Sequence, residues 1–175
     1  MVEVYDATPK IGGEPTLATL LAVLDDGTRE WREELGDLNE SDLVNRPFPG
    51  GPSIGAVLLH MAEVEAWWIQ TVLGGRPLSD DFKRRTLSDE TRQDEGVWGD
   101  APQMPYAAYL DLLDEVRAQT HEALQNERDV ARVLKPDPER PALTVRWIVG
   151  HVVQHDSYHG GQCVLVKRML RGGMW

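Results

Sequence analysis

Residues 151–162, HVVQHDSYHGGQ, set three of the chain's five histidines, His151, His155 and His159, four positions apart. On a helix, residues four apart project from neighbouring turns on nearly one face. Two imidazoles so placed can meet at one point, which is how helical histidine pairs hold a divalent metal. His151 with His155 satisfies this spacing, and so does His155 with His159. All three cannot easily share one ion, because His151 and His159 stand about 12 Å apart along the axis. A single-metal centre therefore needs a ligand from another helix. His60 in SIGAVLLHMAEVEAWW is the candidate, since Leu59, Val64 and Trp67 put it on or beside a buried face. Three histidines with water in the remaining positions would form an open, catalytic type of site. A closed structural site more often uses several thiolates, and this chain has one cysteine.

Other residues near these positions have weaker claims. Glu63, one turn after His60, is a candidate base, with Glu65 as the alternative, although both read equally well as ordinary helix acids. Tyr158 could reach the rim of the site. Gln162 could orient a ligand or a water. His151, if it is not a ligand, is expected to be a satisfied core group or a support for the ligands. Cys163 lies one turn past His159 and is expected to be a small buried hydrophobe. Gly160–Gly161 is unusual inside a helix, where each glycine costs about 1 kcal/mol against alanine. Close approach of a neighbouring helix or of a ligand would explain it. His121 in RAQTHEALQ reads as a surface histidine.

Four segments with helical periodicity must position these groups. They run from about Thr16 to Leu35, Ser53 to Leu73, Pro105 to Leu124 and Thr144 to Leu170. Pro15 suits a first turn. Ser53 and Thr144 are N-cap candidates, and Gly172–Gly173 is a natural stop. No segment alternates as a strand would. The expected fold is all-α, a four-helix bundle over a single domain, residues 1–175. The connector between the second and third helices, residues 75–104, is long for a compact domain. It makes sense if it returns along the bundle, so that the order is up-down-down-up, with a short helix near Asp80–Thr86. GPSIG at 51–55 matches the serine-hydrolase pattern but has no strand before it, so Ser53 reads as a helix cap. No E-x-x-H occurs, which disfavours a paired-carboxylate di-iron bundle.

The whole chain sets limits on function. Its formal net charge is −11, from 18 basic and 29 acidic residues. Nucleic-acid binding draws its affinity mainly from Lys and Arg on phosphates, so no nucleic-acid partner is expected. No long apolar run implies a membrane span. The N-terminus lacks a basic start and an apolar stretch, and no disulfide framework is possible. A cytoplasmic protein is expected.

SIGAVLLH leading to EAWW, and HDSYHGGQ after WIVGHVV, are similar to the patterns of the DinB-like family of metal-binding four-helix bundles. The resemblance covers most of the chain. It implies a divalent ion, zinc or nickel, between the second and fourth helices, with His60, His155 and His159 as ligands. It also implies parallel middle helices and, often, homodimers. Many relatives carry Arg directly after the last histidine, where this chain has Gly160. Known activities in the family include transferases and isomerases that use low-molecular-weight thiols. The resemblance therefore implies a small-molecule substrate and, first, a thiol-dependent S-transferase. A metal-dependent hydrolase or a non-catalytic metal-binding or ligand-binding bundle are the alternatives.

Overall fold

A computed structural model of the chain describes residues 7–10, 12–139 and 141–172. Helix α1 spans Pro15–Leu35, with Pro15 in its first turn and the Glu14 carboxylate accepting the Leu17 N–H. Its stripe of Leu17, Leu21, Leu24, Trp31 and Leu35 is buried, as the periodicity predicts. A short helix not evident from the sequence, α2 (Glu40–Val44), follows. Asn39 and Asp42 close a reciprocal capping box around its first turn.

Helix α3 covers Ile54–Ala66 behind the N-cap Ser53, which accepts the Ala56 N–H and so does not act as a free nucleophile. It is the most deeply buried helix, with Ile54, Val57, Leu58, Leu59 and Ala62 all inaccessible or nearly so. The sequence reads as one α-helix to Leu73, but residues Trp67–Leu73 form a π-helix. Its end is marked by a wide bond from the Gly74 N–H to the Ile69 carbonyl. Helix α4, Asp80–Thr86, lies in the connector where a short helix is expected. Arg46 then ties the far end of the connector down by bonding the Trp98 and Gly99 carbonyls and Asp100.

Helix α5 spans Tyr106–Asn126 and α6 spans Val145–Leu170, the latter capped by Thr144. Between them a two-residue antiparallel ladder pairs β1 (Val133–Leu134) with β2 (Leu143–Thr144). Gly172 has φ +70°, a left-handed stop. Gly173 lies outside the described residues. The described chain is thus mostly helical. None of its helices is long and apolar enough to cross a membrane.

Contacts fix how the long helices pass one another. Along α1 and α6 they advance together: Thr28 with Asp156, Trp31 with Gly160, Leu35 with Lys167. Along α3 and α6 they run opposite, from His60 with His159 to Trp68 with Trp147. Along α3 and α5 they again advance together, from Gly55 with Tyr109 to Gln70 with Gln119. Two apolar clusters result. One gathers Trp31, Leu35, Leu58, Tyr109 and Val166, and the other Leu17, Leu21, Ile69, Leu124 and Val149. On α1, α5 and α6 a polar residue, Thr28, Arg117 and Asp156 in turn, sits between the contributions to the two, and Glu65 joins them from the end of α3.

Candidate metal centre

His60 in mid-α3 meets His155 and His159 on α6 because the two helices pass side by side there. The His155 and His60 Nε2 atoms are 3.2 Å apart, and each ring centroid of this pair is 5.0 Å from the other. His60 and His159 rings are also 5.0 Å apart, and His155 and His159 rings 4.3 Å. One nitrogen from each of the three residues falls within a 4.8 Å span. Of the two adjacent pairs the ladder offers, the structure brings His155 and His159 together with His60. His151 faces elsewhere.

The electrostatics favour neutral rings. Burial, and then the neighbouring His159, lower the His60 pKa to about 4. Burial followed by His159, His60 and His151 lowers His155 to about 2. Burial also lowers His159. Neutral imidazoles carry the lone pairs a metal needs. The Gln162 carbonyl oxygen lies 2.8 Å from His159 Nδ1, which suits a proton on Nδ1 and leaves Nε2 free as a donor to a metal. Three converging, deprotonated nitrogens, one already oriented from behind, fit a divalent ion.

The mouth of the site is aromatic. Trp98, from the connector, lies edge-on to His60 at 5.6 Å and within 6.3 Å of His159. Tyr158 is 68% exposed and sets its ring 4.9 Å from His159, at the rim expected for it. Trp98 went unnoticed in the sequence, although a lone tryptophan in a polar connector is a usable signal.

Glu63 is part-buried and accepts from the Ser88 hydroxyl. Burial raises its pKa, partly offset by that bond. Glu65 is not an ordinary helix acid. It accepts two bonds from Arg117 and one from the Thr120 hydroxyl, deep in the interior. Arg117 also reaches Asp156 and Asp25, and Asp156 accepts from Thr28 and from the Trp31 indole N–H. Burial would lower the Arg117 pKa, but Glu65, Asp156 and Asp25 outweigh it and hold the guanidinium charged. His121 is likewise not a free surface group, since its Nε2 lies 3.1 Å from Asp25. This polar cluster was missed because each member, alone, looks like a solvated helix charge.

Cys163 is fully buried, as expected of a small hydrophobe, and burial pushes its thiol pKa upward. Gly160 and Gly161 have different explanations. A methyl on Gly160 would collide with the Trp31 indole, so Gly160 admits α1. Nothing lies within 4 Å of a methyl on Gly161. His151 stacks on Trp147 at 5.0 Å with an interplanar angle of 5°, and its ring is 6.2 Å from that of His155. Trp147 is 47% exposed and Trp67 37%, so neither is the core residue that tryptophans of this kind usually are.

A family model described as mycothiol-S-transferase matches residues 19–172. Among solved structures, the chain is similar to one titled "Crystal structure of the conserved protein of locus from Enterococcus faecalis". The TM-score is 0.72 at 17% identity, over 88% of this chain and 96% of that one, a likeness of fold. No curated protein matches.

Proposed function

The chain belongs to the mycothiol-S-transferase family, a DinB-like family, and from that premise we propose that it is a metal-dependent S-transferase acting on mycothiol. His60, His155 and His159 hold a divalent ion, zinc or nickel. The observation that carries this reading is the convergence of three neutral histidine nitrogens within 4.8 Å. The four long helices are read as a bundle in up-down-down-up order, supported by the directions in which their contacts advance. A divalent ion held by these three histidines would act as a Lewis acid that favours the thiolate form of a thiol at neutral pH.

The chain's own residues prepare the reaction. Gln162 fixes the His159 ring, and burial keeps all three imidazoles unprotonated. Trp98 and Tyr158 border the approach to the histidines. The thiol proton leaves to solvent. The sulfur then forms a bond to an electrophilic carbon, and the bond from that carbon to its leaving group breaks, with the electron pair going to the leaving group. Neither Glu63 nor Glu65 is needed as a base. Glu63 is engaged with Ser88, and Glu65 is committed to Arg117.

The test is turnover. Purified protein loaded with zinc or nickel is mixed with mycothiol, and separately with glutathione and cysteine, and with 1-chloro-2,4-dinitrobenzene or iodoacetamide. Thioether formation is followed against His155→Ala. Metal-dependent turnover with mycothiol that His155→Ala abolishes supports the proposal. Ester or amide hydrolysis in place of thioether formation would favour a hydrolase. Metal binding with no turnover of any pair would favour a non-catalytic bundle.

A further inference from the structure

Beside the three converging histidines, the structure holds a cavity of about 870 Å³, within the range of roughly 300–1,000 Å³ typical of small-molecule sites. Trp67, Trp68, Trp147 and His151 form its aromatic walls, and Pro141 and Leu143 from the β1–β2 loop complete it. Trp68 organises these walls. Its ring is 4.6 Å from Trp67, 5.8 Å from Trp147 and 5.1 Å from His151. Large indoles exposed to this degree are not explained by packing. The local backbone is equally unusual, because Trp67 and Trp68 open the π-helical segment. His151, in the cavity wall, stands one turn from His155, their rings 6.2 Å apart.

We infer that this cavity is the subsite for the electrophilic co-substrate, and that it takes a flat, uncharged, aromatic-bearing molecule. This rests on the S-transferase reading above. Indole faces offer such a molecule stacking and edge contacts in an apolar surrounding. Among the described lining residues the one carboxylate is that of Asp137, set among indoles, an imidazole and prolines. His151 is then a positioning residue that keeps Trp147 stacked.

The probe is N-phenyl-1-naphthylamine, an uncharged aromatic whose emission rises in apolar sites, titrated into metal-loaded protein without thiol. One saturable site is expected, from which 1-chloro-2,4-dinitrobenzene displaces the probe competitively. Trp147→Ala should weaken binding about tenfold or more, Trp147→Phe should restore most of it, and Phe48→Ala, a distant exposed aromatic, should leave it unchanged. In turnover, Trp147→Ala should raise KM for 1-chloro-2,4-dinitrobenzene about tenfold with a much smaller change in kcat. Probe binding that Trp147→Ala leaves intact, or a probe that the electrophile does not displace, would overturn the inference. Binding that behaves as expected without turnover of any thiol–electrophile pair would sink the transferase reading and leave the aromatic site standing. Turnover with an unaltered Trp147→Ala would do the reverse.

Discussion

His155 and Asp156 are neighbours on α6, and both put polar groups into the protein interior, yet the two settings are opposites. Asp156 enters a hydrogen-bonded layer, with Arg117 set among Asp156, Glu65 and Asp25 and with Thr28, Thr120 and Trp31 donating. His155 enters a cluster containing only neutral nitrogens, two of them 3.2 Å apart. The first region is complete in itself. The second brings three nitrogens together in a geometry that could hold a cation. Buried polarity is therefore paired on one side of α6 and convergent on the other, separated by one residue of helical rotation.

The largest effect expected from breaking this contrast is on the paired side. Arg117→Met leaves Glu65 and Asp156 buried without their counter-charge and should cost about 3–5 kcal/mol, read by urea unfolding. His155→Ala should lose the metal while costing the metal-free protein far less. If both variants destabilise the metal-free protein equally, the contrast fails. The next largest effect is on the orienting group. Gln162→Leu frees the His159 ring and should weaken metal affinity roughly 10–100-fold, by competition with a chromophoric chelator, with little change in metal-free stability. An unchanged affinity would leave Gln162 a bystander.

The paired glycines sharpen the comparison on the packing side. Gly160→Ala drives a methyl into Trp31, itself a donor to Asp156, and should cost about 1–3 kcal/mol. Gly161→Ala meets open space and should stabilise by up to about 1 kcal/mol through helix propensity. Equal effects from the two would remove Gly160 from the α1 contact. The smallest change is a gradual one with pH. His60 and His155 titrate below their ordinary value of 6.5 in the fold, so the unfolded chain takes up protons first as pH falls. Metal-free stability should decline from about pH 6.5 towards 4 for His60 and continue towards 2 for His155. The His60→Ala/His155→Ala double variant should show a shallower decline over this window, measured by urea midpoints at stepped pH.

Much of this contrast was visible in the sequence on one side only. Periodicity located the long helices within a residue or two, except that the second leaves α-helical geometry at Ala66 and continues as a π-helix to Leu73. The four-residue spacing left two histidine pairs open, the family resemblance chose His155 and His159 with His60, and the passage of α3 against α6 brings those three together. The polar layer was not legible, because Glu65, Arg117 and Asp156 are 39 or more residues apart and only helix contacts unite them. The π-helical turn was hidden because WWIQTVL keeps the apolar spacing of an ordinary helix end. Trp98 was hidden because a connector's path is set by anchors such as Arg46 rather than by periodicity.

The central claim is that the neutral side of α6 exists to hold an ion. It is tested most directly by elemental analysis of the purified protein after exhaustive dialysis, together with thermal melts before and after adding zinc or nickel. The account predicts about one divalent ion per chain, a raised melting temperature on adding metal to chelated protein, and loss of both in each of His60→Ala, His155→Ala and His159→Ala, with His151→Ala retaining the ion. A chain that purifies without metal, and whose melting temperature neither ion raises, would contradict it.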